Sequence, residues 1–289
     1  MSALAHVVQS RPRDLGGFEV RRILPWGGGR MVGPFIFLDQ MGPVEFSPGQ
    51  GIDVRPHPHI GLATVTYLYE GELVHRDSLG VEQTIRPGDV NWMTAGSGIV
   101  HSERTGAQLR ADGHRISGLQ SWVALPADRE EVSPAFFHHP VESLPYAERD
   151  GARLRVIAGS AYGLESPVQT YSALFYVDVE IEAGARLRIE TDFPQRAVYV
   201  AQGEIDIDGQ IIAQGALALI EEGKLGVLRA RTDSRLALLG GEALDGKRHI
   251  WWNFVSSSQH RIERAKRDWA EGRFAAVPGE TEFIPLPPR

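Results

Sequence analysis

Two short pairs, His57-Pro58-His59 and His101-Ser102-Glu103, carry the residue types and the spacing of a metal site. Side chains at i and i+2 on a β-strand leave the same face, so each pair aims two ligands at one point. Three imidazoles and one carboxylate, with no thiolate, suit Fe(II), Mn(II), Ni(II), Zn(II) or Cu(II). A six-coordinate ion so held keeps positions for water or substrate. Mixed histidine and carboxylate ligation with open positions is what oxygen-activating enzymes use, which makes Fe(II) the preferred ion. The competing readings are ordinary buried or surface histidines, and a closed structural metal site with no open position. His75, on a neighbouring strand, is either a support for the metal ligands, a substrate contact or a histidine on a hairpin surface.

These pairs need a sheet that brings them together. Between them, Leu62 to Trp92 is rich in Thr, Val, Tyr and Ile and is broken at Glu70-Gly71, Leu79-Gly80 and Pro87-Gly88-Asp89. Breaks of this kind read as hairpin turns. An antiparallel meander that curls on itself returns Ile99–Arg104 beside Val54–Ala63. Extending the phase of His57 and His59 puts Ala63, Val65, Tyr67 and Tyr69 on the ligand-bearing inner face, which is then otherwise apolar.

The whole chain of 289 residues is long enough for two domains with their own cores or for one large β architecture. Hydrophobic residues at 42% and charged residues at 23% are those of an ordinary soluble protein. The absence of cysteine excludes disulfides, thiolate metal sites and cysteine nucleophiles. A formal net charge of −7 argues against direct nucleic-acid binding, which calls for a basic excess. No uncharged apolar run approaches membrane-spanning length and the N-terminus has no signal-peptide pattern, so the cytoplasm is the expected location.

Residues 1 to 15 read as polar and irregular, with a loop at Arg11–Asp14, and Phe18–Leu24 and Phe35–Leu38 read as strands. Gly27-Gly28-Gly29 lacks the pattern of a phosphate-binding loop and reads as a turn. Pro126–Asp150 is a connection rich in Pro and charge, in which His138 and His139 point to opposite faces if extended and so do not pair as ligands. From Ala152 the chain echoes itself. Ala197–Glu204 aligns with Val65–Glu72, and Ala213–Leu217 with Arg86–Val90, so one β-barrel unit occurs twice. The second copy has Glu190-Thr191-Asp192 and Gly223-Lys224-Leu225 where the ligands would stand, and so has lost the site. Ile250–Val255 reads as a strand, and Ser256 with Gln259 reads as the capping box of a helix ending near Gly272. The boundaries expected are residues 1–135 for a metal-binding barrel and 136–289 for a degenerate barrel with the C-terminal helix and tail.

Several stretches together resemble the pirin family of the cupin superfamily, over nearly the whole chain. They are Met31–Phe35, the His-Pro-His-x-Gly element at His57–Gly61, His75–Ser78, Pro87–Asp89, the long run Trp92–Glu103, and Asn253–Val255 onward to Phe274. The resemblance implies an all-β bicupin, two double-stranded β-helix barrels with a short C-terminal helix. It also implies one metal, usually described as iron, on the positions matching His57, His59, His101 and Glu103. It implies a quercetin 2,3-dioxygenase-type activity on a flavonol- or catechol-like molecule with O2. The alternative is a non-enzymatic, metal- or redox-dependent regulator that contacts a transcription factor or metabolic enzyme. Many pirins carry Glu where this chain has Ala63, so Glu103 would combine ligation with base duty.

Overall fold

The computed structural model describes residues 2–14, 18–27, 31–190 and 192–288. Gly28 and Gly29 of the expected glycine turn, and Thr191, lie outside them. By contacts the chain divides into two compact units that are not consecutive stretches. The first comprises Met1–Arg13, Val20–Gln40 and Glu142–Leu244; the second comprises Asp14–Glu19, Met41–Val141 and Asp245–Arg289. Segments from both ends of the chain therefore fall across the boundary expected near residue 135.

The second unit contains the histidine pairs. A four-stranded antiparallel sheet runs in the order Asp53–His59, Ile99–Arg104, Leu73–Asp77, Glu82–Ile85, and in a separate sheet Ala135–His139, Val90–Thr94, Leu62–Glu70 and His114–Ala124 are successive neighbours. The expected meander forms, turning where the sequence breaks, with Gly71, Gly80 and Gly88 in left-handed backbone. Between the first ligand strand and Leu62–Glu70 the chain changes sheet at Gly61. This residue has φ +69°, and a Cβ there would sit 2.0 Å from the Val255 carbonyl oxygen, so only glycine makes the corner.

The same unit holds the C-terminal elements. The expected strand Ile250–Val255 is a hairpin, His249–Trp251 against Phe254–Ser256. The helix Gln259–Ala270 is capped by Ser258, whose side chain accepts from the Arg261 N–H. Ser256, expected as the cap, instead donates to Glu130. Glu130 is buried and also takes hydrogen bonds from Ser257 and an ion pair from Arg248, so the polar demand of that carboxylate recruits the serine and the cap moves two residues on. Ile262 and Ala265 pack the helix on Ile60 and Phe254. Beyond it the tail returns to the ligand strands: Ile284 N–H donates to the Pro56 carbonyl, and Ser102 Oγ donates to Glu280.

The first unit is built the same way, and its described residues hold no such histidine group. Its four-stranded sheet runs Arg186–Arg188, Val227–Ala230, Glu204–Ile207, Gln210–Ala213. Leu187 pairs with Leu228 where the other unit pairs His57 with His101. The strands standing in for the ligand strands are thus a few residues from Glu190–Asp192 and Gly223–Leu225, where the sequence alignment placed them. Leu187, Leu228 and Ala230 belong to a continuous apolar core. The N-terminus departs from expectation: Leu4–Gln9 and Arg11–Asp14 are strands, and Leu4–Gln9 pairs with Ala216–Ile220. Leu4–Gln9 is an edge strand whose apolar residues do not alternate, so it is fixed by the ladder it completes.

Candidate metal centre

Antiparallel partners share a face, and this register puts the chemistry in rows. His57 lies opposite His101, which on its other side lies opposite Asp77, and Glu103 lies opposite His75. His57, His59 and His101 are all buried, with ring centroids 4.4 to 5.0 Å apart. Each offers a ring nitrogen within 4.8 Å of the others'. The structure therefore brings three of the four expected ligands together. Glu103 is on the next row of the same strand, after a register shift between His101 and Glu103. Its carboxylate is not within that three-histidine group; it accepts a hydrogen bond from Thr66 Oγ at 3.2 Å.

Burial sets the protonation of the cluster. The His57 imidazolium is disfavoured by desolvation, which lowers its pKa to about 4. His59 and His101 are pushed well below the usual histidine range, by burial first and by the charge of His57 next. Burial raises Glu103 above the ordinary carboxylate value. Neutral imidazoles keep a lone pair, and for His57 the tautomer can be read from its contact. His57 Nδ1 donates to the Arg55 carbonyl at 2.9 Å, leaving Nε2 as the lone-pair atom. His101 meets His75 through Nδ1 at 3.3 Å, and its Nε2 is buried with no hydrogen-bond partner. A buried, unpartnered imidazole nitrogen beside two other neutral imidazoles fits a divalent metal of intermediate softness.

Sequence phase misplaced some site residues and missed others. Ala63, Val65 and Tyr67 do not share the ligand face. Thr66 reaches Glu103, and Trp122, opposite Thr64, sets its ring edge-on to His59 at 5.1 Å. The alternate set Thr64, Thr66, Gln120 and Trp122 therefore faces the histidines, because the Gly61 corner resets the alternation. The inner face is polar there, not apolar. His75 and Asp77 were missed as a pair, although their i,i+2 spacing is the one that marked the ligands. His138 faces Asn91, its Nδ1 2.8 Å from Oδ1, and is not in the metal cluster.

Two family profiles match the chain, Pirin over residues 17–123 and the Pirin C-terminal cupin domain over residues 176–275. The chain belongs to the pirin family. This pirin is an all-β bicupin with a short C-terminal helix. It is 52% identical over 286 residues to a pirin-like protein of Caulobacter vibrioides, covering 97% of this chain and 98% of that one. It is 39% identical over 268 residues to a Pseudomonas aeruginosa protein provisionally named a quercetin 2,3-dioxygenase, covering 92% and 83%. Its fold superposes on the crystal structure of a quercetin 2,3-dioxygenase from Acinetobacter baumannii with TM-score 0.92 at 32% identity, covering 99% and 96% of the two chains. Among the described residues of this pirin no helix is long and apolar enough to cross a membrane.

Proposed function

We propose that this pirin is a metal-dependent oxygenase of the quercetin 2,3-dioxygenase type, acting in the cytoplasm on a flavonol- or catechol-like substrate and O2. The observation that carries the reading is the convergence of three buried, uncharged imidazoles on one inner face. His57, His59 and His101 would hold the metal, with Glu103 as the fourth ligand and Fe(II) as the preferred ion. Such an ion, when bound, supplies Lewis acidity and, if it can change oxidation state, electron exchange with O2.

The remaining work falls to side chains of this chain. Glu103 Oε1 accepts from Thr66, which leaves Oε2 to take the proton of a substrate hydroxyl. Its raised proton affinity makes it a stronger base than an exposed carboxylate. Thr66 Oγ also lies 2.9 Å from Gln120 Oε1, so its one proton is shared between two acceptors. Trp122, set edge-on against His59, limits that ring's rotation.

The test loads protein purified without oxygen with Fe(II) or Zn(II), measures metal content, and follows O2 uptake with quercetin. The Fe(II) form is expected to consume O2 and the Zn(II) form, equally folded but redox-inert, is not. A chain that binds Fe(II) stoichiometrically yet neither binds flavonols nor consumes O2 with them overturns the enzyme reading. Metal-dependent contact with a protein partner would then take its place.

A further inference from the structure

Behind the three ligands lies a buried chain of hydrogen bonds with one consistent proton order. Asp77 is 0% exposed and His75 is 4% exposed. Asp77 Oδ1 accepts the backbone N–H groups of Leu79 and Val81 at 2.8 and 3.2 Å, while Oδ2 lies 3.1 Å from His75 Nε2. A carboxylate only accepts, so His75 Nε2 is the donor. A neutral His75 then has its lone pair on Nδ1, facing His101 Nδ1 at 3.3 Å. Two nitrogens at that distance hold one proton between them, and it must come from His101. That leaves the His101 lone pair on Nε2, the atom that is buried without a partner.

We infer that Asp77 and His75 are positioning residues that fix His101 in the Nδ1–H tautomer and so present its Nε2 lone pair to the metal. The inference rests on the reading of His57, His59 and His101 as metal ligands. His75 is itself held on three sides. Asp77 anchors one ring nitrogen, His101 meets the other, and the Phe136 ring stacks on its face with centroids 4.3 Å apart and planes 16° from parallel. The lever is unusual in length, because the residue that selects the tautomer is two imidazole widths from the ligating atom.

Asp77→Asn tests this with little change of shape. The two backbone N–H groups keep the amide oxygen in the Oδ1 position, so the amide NH2 faces His75 Nε2. Every proton in the chain then reverses: His75 Nε2 accepts, His75 Nδ1 donates, His101 Nδ1 accepts and His101 Nε2 carries hydrogen. In the metal-free full-length chain, long-range 1H–15N spectra of the histidine rings should show His101 as Nδ1–H in wild type and Nε2–H in Asp77→Asn. Zn(II) affinity, measured by chelator competition, should fall about 10- to 100-fold in that variant. His75→Phe keeps the stacking on Phe136 but cuts the chain, and it should also weaken Zn(II). The double variant should then bind no more weakly than His75→Phe alone, since Asp77 acts only through His75. A wild-type His101 in the Nε2–H form, an Asp77→Asn variant unchanged in both readouts, or additive losses in the double variant would each overturn the inference. A wild-type chain that binds no Zn(II) overturns the metal reading beneath it, and the ring spectra, which need no metal, still decide the tautomer.

Discussion

A histidine kept neutral by burial is prepared for a metal before any metal arrives, and two of the rings at this site are prepared by different means. His57 is fixed by a backbone carbonyl, whereas His101 is addressed through a second side chain. His101→Ala or His57→Ala should abolish stoichiometric metal retention, assayed by elemental analysis after gel filtration, with the far-ultraviolet circular dichroism unchanged. Retention of a full equivalent by either variant would remove that residue from the site. Ala63 carries the opposite expectation. It is fully buried, opposite Val123 and Thr94 on the face turned away from the histidines, so Ala63→Glu should destabilise the fold by about 4 kcal/mol or more and leave metal affinity unchanged. A lowered thermal midpoint with wild-type Zn(II) affinity is the expected result; a changed affinity would return Ala63 to the site. The histidines were legible in the sequence because i,i+2 spacing survives within one strand. The phase of Ala63 was not, because one positive-φ glycine between strands reverses which residues face inward, and alternation cannot be carried through it.

Two classes of element hold the ligand strands in place, and only one was visible in advance. Hairpins announce themselves by local chemistry, and the turns at Gly71, Gly80 and Gly88 fell where the sequence breaks. Long-range partners do not, which is why the strand Leu4–Gln9 read as irregular and why the cap of the last helix moved from Ser256 to Ser258 under the pull of Glu130. The C-terminal tail is the clearest case for the site. Arg104 forms ion pairs with Glu280 and Glu282, Glu280 also accepts from Ser102, and Ile284 bonds the carbonyl of Pro56. Ser102 sits between His101 and Glu103, and Pro56 precedes His57, so the tail braces both ligand strands from the side away from the metal cluster. Glu280→Ala should therefore speed Zn(II) release about 3- to 10-fold, measured by transfer to a chromophoric chelator, while His-ring tautomers stay as in wild type. An unchanged rate would reduce the tail to a covering of the sheet.

At the scale of the molecule, the duplicated barrel separates stability from chemistry. One unit fills its ligand positions with Leu187, Leu228 and Ala230 and carries an apolar core, whereas the other places polar and titratable groups where that core would be. The repeat itself was readable, but the strand register of the second copy was not, because apolar substitutions erased the residues that could have aligned it. The cost of the polar interior should appear as a pH dependence of the metal-free chain. In the folded state His57 protonates only near pH 4 and His59 and His101 are also held well below their usual range, while unfolded histidines protonate near pH 6.5. Between those values the unfolded chain binds more protons, so stability falls as pH falls. Glu103 works in the opposite sense. Its folded pKa is raised, so the folded state keeps a proton that the unfolded state has released above about pH 4.5. Near pH 5.5 the histidines favour the unfolded state by between two and three protons and Glu103 opposes with at most about one, so the histidines decide the sign. The thermal midpoint of the metal-free protein should be flat from pH 8 to 7 and drop steadily below pH 6.5. His101→Gln, which removes one of the three titrating imidazoles, should flatten that slope by about a third to a half, the larger share applying if Glu103 opposes with a full proton. A midpoint that rises on acidification between pH 6.5 and 5 would show that the carboxylate outweighs the imidazoles, and that the cluster is not held neutral by burial.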